Sequence, residues 1–265
     1  MKQKTFLWMM LLSGVCTTVA PALIATKGYA AEVDKTLVMY LPFDEGQGQV
    51  AQDKSNTGLQ ARLDSPKWVA GKFGKALEFD GIDDIVTVDD AAPLRLLNGG
   101  TIMAWIFIKG ETGHASWPRI MIKSETNGGT GTGYDFLLDR AQGYSLRFCT
   151  GGACNTLVNP LSLLTWHHIA VTFDGKNIRA YVDGKEIGAI NQPGPTTNSA
   201  GQKAGIGNSP VESRQYQGIM DEIRLWSRAL TGDEIRGQMN KGAQDILAAS
   251  PLGKLATTWG TLKGD

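Results

Sequence analysis

Three carboxylates that could hydrolyse a glycosidic bond, Glu78, Asp80 and Asp83, lie close together in the chain. A strand would place Glu78 and Asp80 on the same face, because side chains alternate between the two faces of a strand. Retaining hydrolysis needs two carboxyl groups about 5–5.5 Å apart across the sugar bond. The last member of this group is an aspartate rather than a glutamate, however, and Gly81 interrupts the strand. We therefore expect no catalytic residue and keep a glycoside hydrolase as a remote alternative.

The histidines offer little further chemistry. His167 and His168 are adjacent, so a strand would point them to opposite faces. A nucleophile and its base must lie within reach on the same side, and the expectation is therefore one packed and one exposed histidine. His114 lies in a loop beside Trp117 without a cysteine or a third histidine, which argues against zinc.

Two loop aromatics with polar neighbours suggest a ligand surface. A flat ring stacks on the apolar face of a pyranose, and neighbouring polar groups bind the hydroxyls. The alternative is that Trp117 covers the edge of the fold and that Tyr216 packs on a strand. The candidate ligand-binding residues are Trp117, Arg119, His114, Tyr216 and Arg214.

Cys149 and Cys154 flank a turn-like spacer, Thr150 to Ala153, between two apolar segments. A hairpin would place the two sulfurs face to face, and an even pair of cysteines in an exported chain favours a disulfide. Because the closed loop is short, the bond would restrain that loop more than it stabilises the whole fold.

The N-terminus resembles an export signal. Lys2 and Lys4 are followed by the apolar stretch Phe6–Val15, and Gly28-Tyr29-Ala30 supplies small residues at the positions a signal peptidase reads. We expect cleavage after Ala30, with Ala20 as the alternative site. An uncut membrane anchor is the competing interpretation, but the apolar run is short for a helix that needs roughly 20 residues to span a bilayer.

The remaining composition narrows the class of protein. Removing Lys2, Lys4 and Lys27 leaves 23 basic residues against 26 acidic ones. This balance does not indicate nucleic acid as a partner, which usually requires a basic patch. After residue 30 no apolar run is long enough to span a membrane, so stable membrane insertion is not expected. The predicted location is secreted, whether extracellular, at the cell surface or periplasmic.

Short strands separated by turns predict an all-β fold, since the 33 glycines and recurrent turn signals are typical of a sandwich. In the last strand, alternation predicts Asp221, Ile223 and Leu225 on one face. Thr231 and Glu234 form a capping box that predicts a helix to about Met239. The expected strands are Thr36–Phe43, Lys75–Phe79, Ile85–Val88, Thr101–Ile108, Ile120–Lys123, Tyr134–Asp139, Ser145–Cys149, His167–Phe173, Ile178–Val182, Glu186–Ile190 and Ile219–Trp226.

Several of these segments resemble the laminin-G-like, concanavalin-A-like jelly-roll family. They are Leu37–Gly46 with Asp53–Gly58, Gly74–Val88, Trp166–Gly175 with Tyr181–Lys185, and Gly218–Leu230. Their order and spacing carry the resemblance, which extends from about Asp34 to Gly242. It implies a two-sheet antiparallel jelly-roll sandwich with one short C-terminal helix, in which the first and last strands are neighbours.

The resemblance also implies a structural calcium ion, because similar jelly rolls often bind one where the first and last strands meet. Asp221, Asp44 and Asp80 lie at strand ends that the fold would bring together, and Ca²⁺ prefers six to eight oxygen ligands. Alternatively, Asp44 and Asp80 cap the turns before Gly46 and Gly81.

The sequence thus predicts three parts: a signal peptide over residues 1–30, a jelly-roll domain over 31–242 and a tail over 243–265 that acts as a linker or attachment end. The tail has room for a short helix around Gln244–Ala249. We expect a secreted non-catalytic module for carbohydrate or glycoprotein. The alternative is a structural or adhesive cell-surface domain that contacts other proteins, since a fold establishes architecture better than function.

Overall fold

The structure, a computed structural model, describes residues 34–110, 116–126, 132–192 and 198–248. The expected signal peptide at residues 1–30 and the tail after Ala248 lie outside the described residues.

The described residues form sixteen strands in two antiparallel sheets. The strands are β1 Leu37–Leu41, β2 Val50–Gln52, β3 Gln60–Asp64, β4 Lys67–Ala70, β5 Lys75–Asp80, β6 Ile85–Val88, β7 Gly100–Ile108, β8 Arg119–Ser124, β9 Gly133–Asp139, β10 Ser145–Thr150, β11 Ala153–Leu157, β12 Trp166–Phe173, β13 Asn177–Val182, β14 Lys185–Asn191, β15 Ala204–Ile206 and β16 Gln217–Trp226. The first sheet has the order β14-β13-β12-β7-β16-β5-β4, and β1 also pairs with β16. The second sheet has the order β11-β10-β9-β8-β15-β6-β3-β2.

Two α-helices follow the last strand, α1 over Gly232–Met239 and α2 over Ala243–Ala248. The expected capping box is present: Thr231 Oγ1 accepts from the Glu234 amide, and the Glu234 carboxylate accepts from the Thr231 amide. These contacts satisfy amides that an α-helix leaves without partners at its first turn.

The main hydrophobic core lies between the two sheets. Apolar residues from the first sheet, such as Ile106 and Leu225, pack with residues of the second sheet, such as Phe136 and Phe148. Burial is nearly complete for most of this core. Such removal of apolar surface from water is the dominant favourable term in folding.

A second hydrophobic cluster lies on the outer face of the first sheet. Tyr40 and Trp226 pack there with Ile235 of α1, Ala243 of α2 and, at the margin, Ile246. The first turn of the expected tail therefore packs against the domain rather than leaving it at Gly242.

Strand β16 contains a bulge that changes which residues face the core. Its pairing with β7 shifts register between Asp221 and Arg224, and Glu222 has φ of 57°. The extra residue breaks the period-two alternation. Ile223 and Leu225 consequently face the core together with Met220. The prediction that Asp221 shares the face of Ile223 and Leu225 is therefore wrong.

The predicted fold class is confirmed: the chain is nearly all β, with two sheets arranged as a jelly-roll-like sandwich. All the expected strands are present, and β1 pairs with β16. The expectation omitted short strands, namely β2, β3, β4, β11 and β15. In the described residues, no helix is long and apolar enough to cross a membrane.

Candidate functional site

An exposed tryptophan lies above a pocket on the outer face of the second sheet. Trp117 is 41% exposed and lines a cavity of about 120 Å³. The floor consists of Leu137 and of Cys149 and Cys154, whose sulfurs form a disulfide across the β10–β11 hairpin. The pocket therefore combines an aromatic wall with an apolar floor, the usual composition of a small-ligand site.

Two guanidinium groups flank the Trp117 ring. The Cζ atoms of Arg147 and Arg214 each lie 6.0 Å from the ring centroid, at the limit of a cation–π contact. Both side chains remain partly exposed, at 26% and 27%. They can therefore donate hydrogen bonds to a ligand that lies on the ring.

A buried ion pair fixes the backbone of Trp117. Arg119 at the start of β8 donates from Nη1 to the Trp117 carbonyl over 2.6 Å. It also pairs with Asp135 of β9 at 2.8 Å, and both side chains are almost completely buried. Burial lowers the pKa of Arg119, while the Asp135 carboxylate opposes that shift. Arg119 thus positions Trp117. The prediction that Arg119 binds the ligand directly is wrong, because its side chain is almost completely buried.

The partners of the other two arginines differ in exposure. Arg147 Nη1 donates to Thr156 Oγ1 over 2.8 Å, and Thr156 donates in turn to Asp139. Arg214 pairs at 2.9 Å with Glu212, whose side chain is 58% exposed. A solvent-exposed pair of this kind contributes little to stability, so a ligand can replace Glu212 at small cost.

A second concavity includes Ser116, the residue before Trp117. Ser116 and Arg140 line this cavity of about 440 Å³ together with Ala141, Gly143 and Tyr144.

Tyr216 does not belong to this surface. It is 1% exposed, and its ring packs edge-on against Phe79 at a centroid distance of 6.2 Å. The expectation of an exposed ligand-binding tyrosine is wrong, because the polar residues around it follow the loop whereas the ring itself enters the main core. His114 lies outside the described residues.

The structure separates the acidic residues proposed to bind calcium. Asp80 pairs with Gln217 and Asp221 with Trp105, four residues further along β16, which corresponds to roughly 13 Å of strand. Asp80 instead lies with Asp83 and Asp84, with carboxylate oxygens of the three within 4.8 Å of one another. The three-residue site expected from Asp44, Asp80 and Asp221 is therefore not assembled.

Asp221 and Asp44 organise the turn before β5. Asp221 Oδ2 accepts from the Phe73 amide at 2.9 Å, and Asp44 Oδ1 accepts from the Lys75 amide at 3.0 Å. Asp221 is fully buried, and its Oδ1 has no hydrogen-bond partner. Burial raises the pKa of Asp221 to about 8. An orphaned buried oxygen beside Asp44 is compatible with a cation, but these two carboxylates alone do not complete a calcium shell.

The carboxylates of the glycosidase alternative take part in an ion pair and in a turn. Glu78 pairs with Lys109, while Asp80 Oδ1 accepts from the Ile82 amide at 2.8 Å. Asp84 Oδ2 accepts from the Asp80 amide at 2.7 Å. These are the contacts of a tight turn, as aspartate commonly makes.

Three polar groups in the structure were not anticipated. Asp53 accepts from the Tyr40, Ser55 and Leu59 amides and so closes the loop after β1. The buried Glu222 and Arg224 bind each other and Tyr40 beneath the two helices. Ser162, His167 and Asp183 form a third, hydrogen-bonded group. In the sequence, the only signal for the group of Ser162, His167 and Asp183 is the short spacing between Ser162 and His167.

Comparison with known families identifies the class of protein. A laminin-G family model matches residues 80–236, which is more than half of the chain. This family is described as the concanavalin A-like lectin/glucanases superfamily. The chain therefore belongs to this superfamily. A search of curated proteins finds no match.

Solved structures share the fold at low sequence identity. Domain 4 of AbnA, an extracellular arabinanase from Geobacillus stearothermophilus in complex with arabinotriose, is 16% identical, with a TM-score of 0.61 and coverage of 76% of this chain and 97% of that one. The binding domain of botulinum neurotoxin DC in complex with rat synaptotagmin II is 13% identical, with a TM-score of 0.57 and coverage of 79% and 52%.

A Trypanosoma rangeli sialidase is 19% identical to the chain, with a TM-score of 0.60 and coverage of 88% of this chain and 38% of that one. The chain thus spans about half of the neurotoxin domain and less of the sialidase. At these identities the likeness shows the fold alone.

Proposed function

We propose that the chain is a secreted module that binds carbohydrate or the glycan of a glycoprotein at Trp117 without cleaving this ligand. The observation that carries the proposal is a partly exposed indole above an apolar pocket, with two guanidinium groups beside it. The presence of an arabinotriose complex among the structures of similar fold supports it. The export-like N-terminus supports a location outside the cytoplasm.

Binding would follow from the geometry of this surface. The face of a sugar ring would stack on Trp117, while Arg147 and Arg214 donate hydrogen bonds to its oxygen atoms. The disulfide and the Arg119–Asp135 pair hold the pocket floor and the loop in place before the ligand arrives. Such preorganisation reduces the ordering cost of binding.

A protein partner is the second candidate. The consecutive residues Leu163 and Leu164 are 39% and 65% exposed, and contiguous exposed apolar surface is a feature of protein contacts. The similar fold of a neurotoxin binding domain in complex with synaptotagmin II favours keeping this alternative.

Calcium remains a prediction for Asp44 and Asp221. Its role would be structural, because both residues hold the turn before β5 and neither lines the Trp117 pocket. Calcium titration of the metal-free protein by calorimetry tests it. We expect binding that Asp221→Asn abolishes; no heat of binding in the unaltered protein would contradict the prediction.

A glycan-array screen in calcium and in chelator tests the function. We expect binding to one glycan class that Trp117→Ala abolishes, with Trp166→Ala as the control because that half-buried ring packs on Phe107. Absence of binding to every glycan by correctly folded protein would overturn the proposal. Capture of one defined protein without competition by sugar would favour the second candidate.

A further inference from the structure

A serine, a histidine and an aspartate form a continuous hydrogen-bonded chain that lies outside the Trp117 pocket. Ser162 Oγ lies 2.8 Å from His167 Nε2, and His167 Nδ1 lies 2.9 Å from Asp183 Oδ2. A proton on Nδ1 satisfies both contacts: Nδ1 donates to the carboxylate, and Nε2 accepts from the serine hydroxyl. This order of atoms is the one required for a base to activate a serine.

The fold holds the aspartate in place. Asp183 and Gly184 form the two-residue turn between β13 and β14, and their φ values are 49° and 75°. Positive φ at both positions is typical of the tight hairpin turn that matches strand twist. Asp183 Oδ1 also accepts from the His168 amide at 2.8 Å, so the carboxylate is bound at both oxygens and orients His167.

The serine is accessible and lies beside apolar surface. Ser162 is exposed in the loop between β11 and β12, and the following Leu163 and Leu164 are 39% and 65% exposed. In the described part of the chain, the Ser162 and Leu163 amides donate to no protein acceptor. Such amides next to a nucleophile can bind the negative oxygen that develops during acyl transfer.

We propose that Ser162 is an acyl-accepting nucleophile, with His167 as its base and Asp183 as a positioning residue, and that it hydrolyses carboxylic esters with apolar acyl groups. As the Ser162 Oγ–acyl carbon bond forms, the hydroxyl proton passes to His167 Nε2. The ester C–O bond then breaks, and the departing alcohol takes that proton.

Water completes the cycle. It gives a proton to His167 and attacks the acyl-serine, which releases the carboxylic acid and returns the proton to Ser162. No oxidant, metal or cofactor is needed for either half of this reaction. The activity goes beyond the proposed binding function and does not depend on Trp117.

The test is labelling of the full chain with a fluorophosphonate probe, together with hydrolysis of p-nitrophenyl acetate and butyrate. We expect the label to map to Ser162, and Ser162→Ala to lower esterase activity at least tenfold. Ser213→Ala is the matched control, because that exposed serine has no histidine partner among the described contacts. His167→Gln should lose activity that added imidazole partly restores.

Asp183→Asn should lower kcat for ester hydrolysis and leave KM unchanged, because it misorients His167 without touching the substrate, whereas a merely structural role would change both. Ser162→Ala removes only one exposed hydroxyl, so it keeps the test valid even if a histidine or aspartate variant unfolds. Equal labelling of the unaltered protein and Ser162→Ala, or no labelling above that of heat-denatured protein, would overturn the proposal.

Discussion

At the scale of single residues, the candidate surface depends on buried charges that the sequence does not reveal. Arg119 was expected to reach a ligand, but it lies beneath the loop and binds Asp135 and the Trp117 carbonyl. Its burial follows from strand pairing between β8 and β9. The exposed indole of Trp117, in contrast, agrees with its setting in a polar loop.

Breaking the Arg119–Asp135 pair should therefore be costly. We expect Arg119→Met to lower the free energy of unfolding by about 3–5 kcal/mol, because it leaves an uncompensated carboxylate in the interior. The double variant Arg119→Met/Asp135→Leu should recover much of that loss. Urea denaturation measures both, and equal stability of the single variant and the unaltered protein would contradict the assignment.

Asp221 should make stability depend on pH. Its pKa is about 8 in the folded chain against an ordinary value of 3.8, so the unfolded chain releases this proton first as pH rises. The stabilising contribution is present below about pH 4 and is lost as pH rises through about 8, at up to about 1.4 kcal/mol per pH unit.

Urea denaturation at pH 5, 6.5 and 8 tests this dependence. The Asp221→Asn variant keeps an acceptor for the Phe73 amide but has no titrating group at this position. Its free energy of unfolding should therefore fall less steeply with rising pH than that of the unaltered protein. Parallel pH profiles for the two proteins would show that Asp221 does not titrate in this range.

At the scale of elements, the sequence predicts long strands well and short ones poorly. Strands β7 and β16 are nine and ten residues long, and apolar residues recur along both of them. Strand β2 has only three residues, of which one is buried, so its pattern resembles that of a loop. The alternation of apolar and polar residues along β16 does not predict its bulge. The bulge depends on how β7 pairs with the residues on either side of it.

The capping box of α1 should contribute measurably to stability. Thr231→Ala removes the side-chain acceptor for the Glu234 amide, and we expect a loss of about 1 kcal/mol. Thr231→Ser should retain most of the stability because it keeps the hydroxyl. Chemical denaturation compares the three proteins, and an alanine variant as stable as the serine variant would show that the cap is not used.

At the scale of the whole molecule, two hydrophobic clusters organise the domain, one between the sheets and one beneath the helices. The family resemblance indicated the first cluster and the proximity of the terminal strands. The second depends on long-range contacts, such as the hydrogen bond from Arg224 to the Gln238 carbonyl. These contacts explain why part of the expected tail packs on the domain.

The disulfide should matter more for binding than for folding. Its two cysteines are five positions apart, and closing so short a loop stabilises a fold by about 2 kcal/mol. We expect Cys149→Ser/Cys154→Ser to remain folded in thermal unfolding but to bind ligand more weakly, because the bond forms part of the pocket floor. Unchanged affinity in this variant would contradict the assigned pocket.

The most direct test of the binding surface is calorimetric titration of the full chain with the best glycan from the array. We expect saturable binding by the unaltered protein, at least a tenfold weaker affinity for Arg147→Gln and no binding by Trp117→Ala. The Trp166→Ala control should bind as the unaltered protein does. Undiminished affinity in folded Trp117→Ala would contradict binding at Trp117 and place the ligand elsewhere on the sandwich.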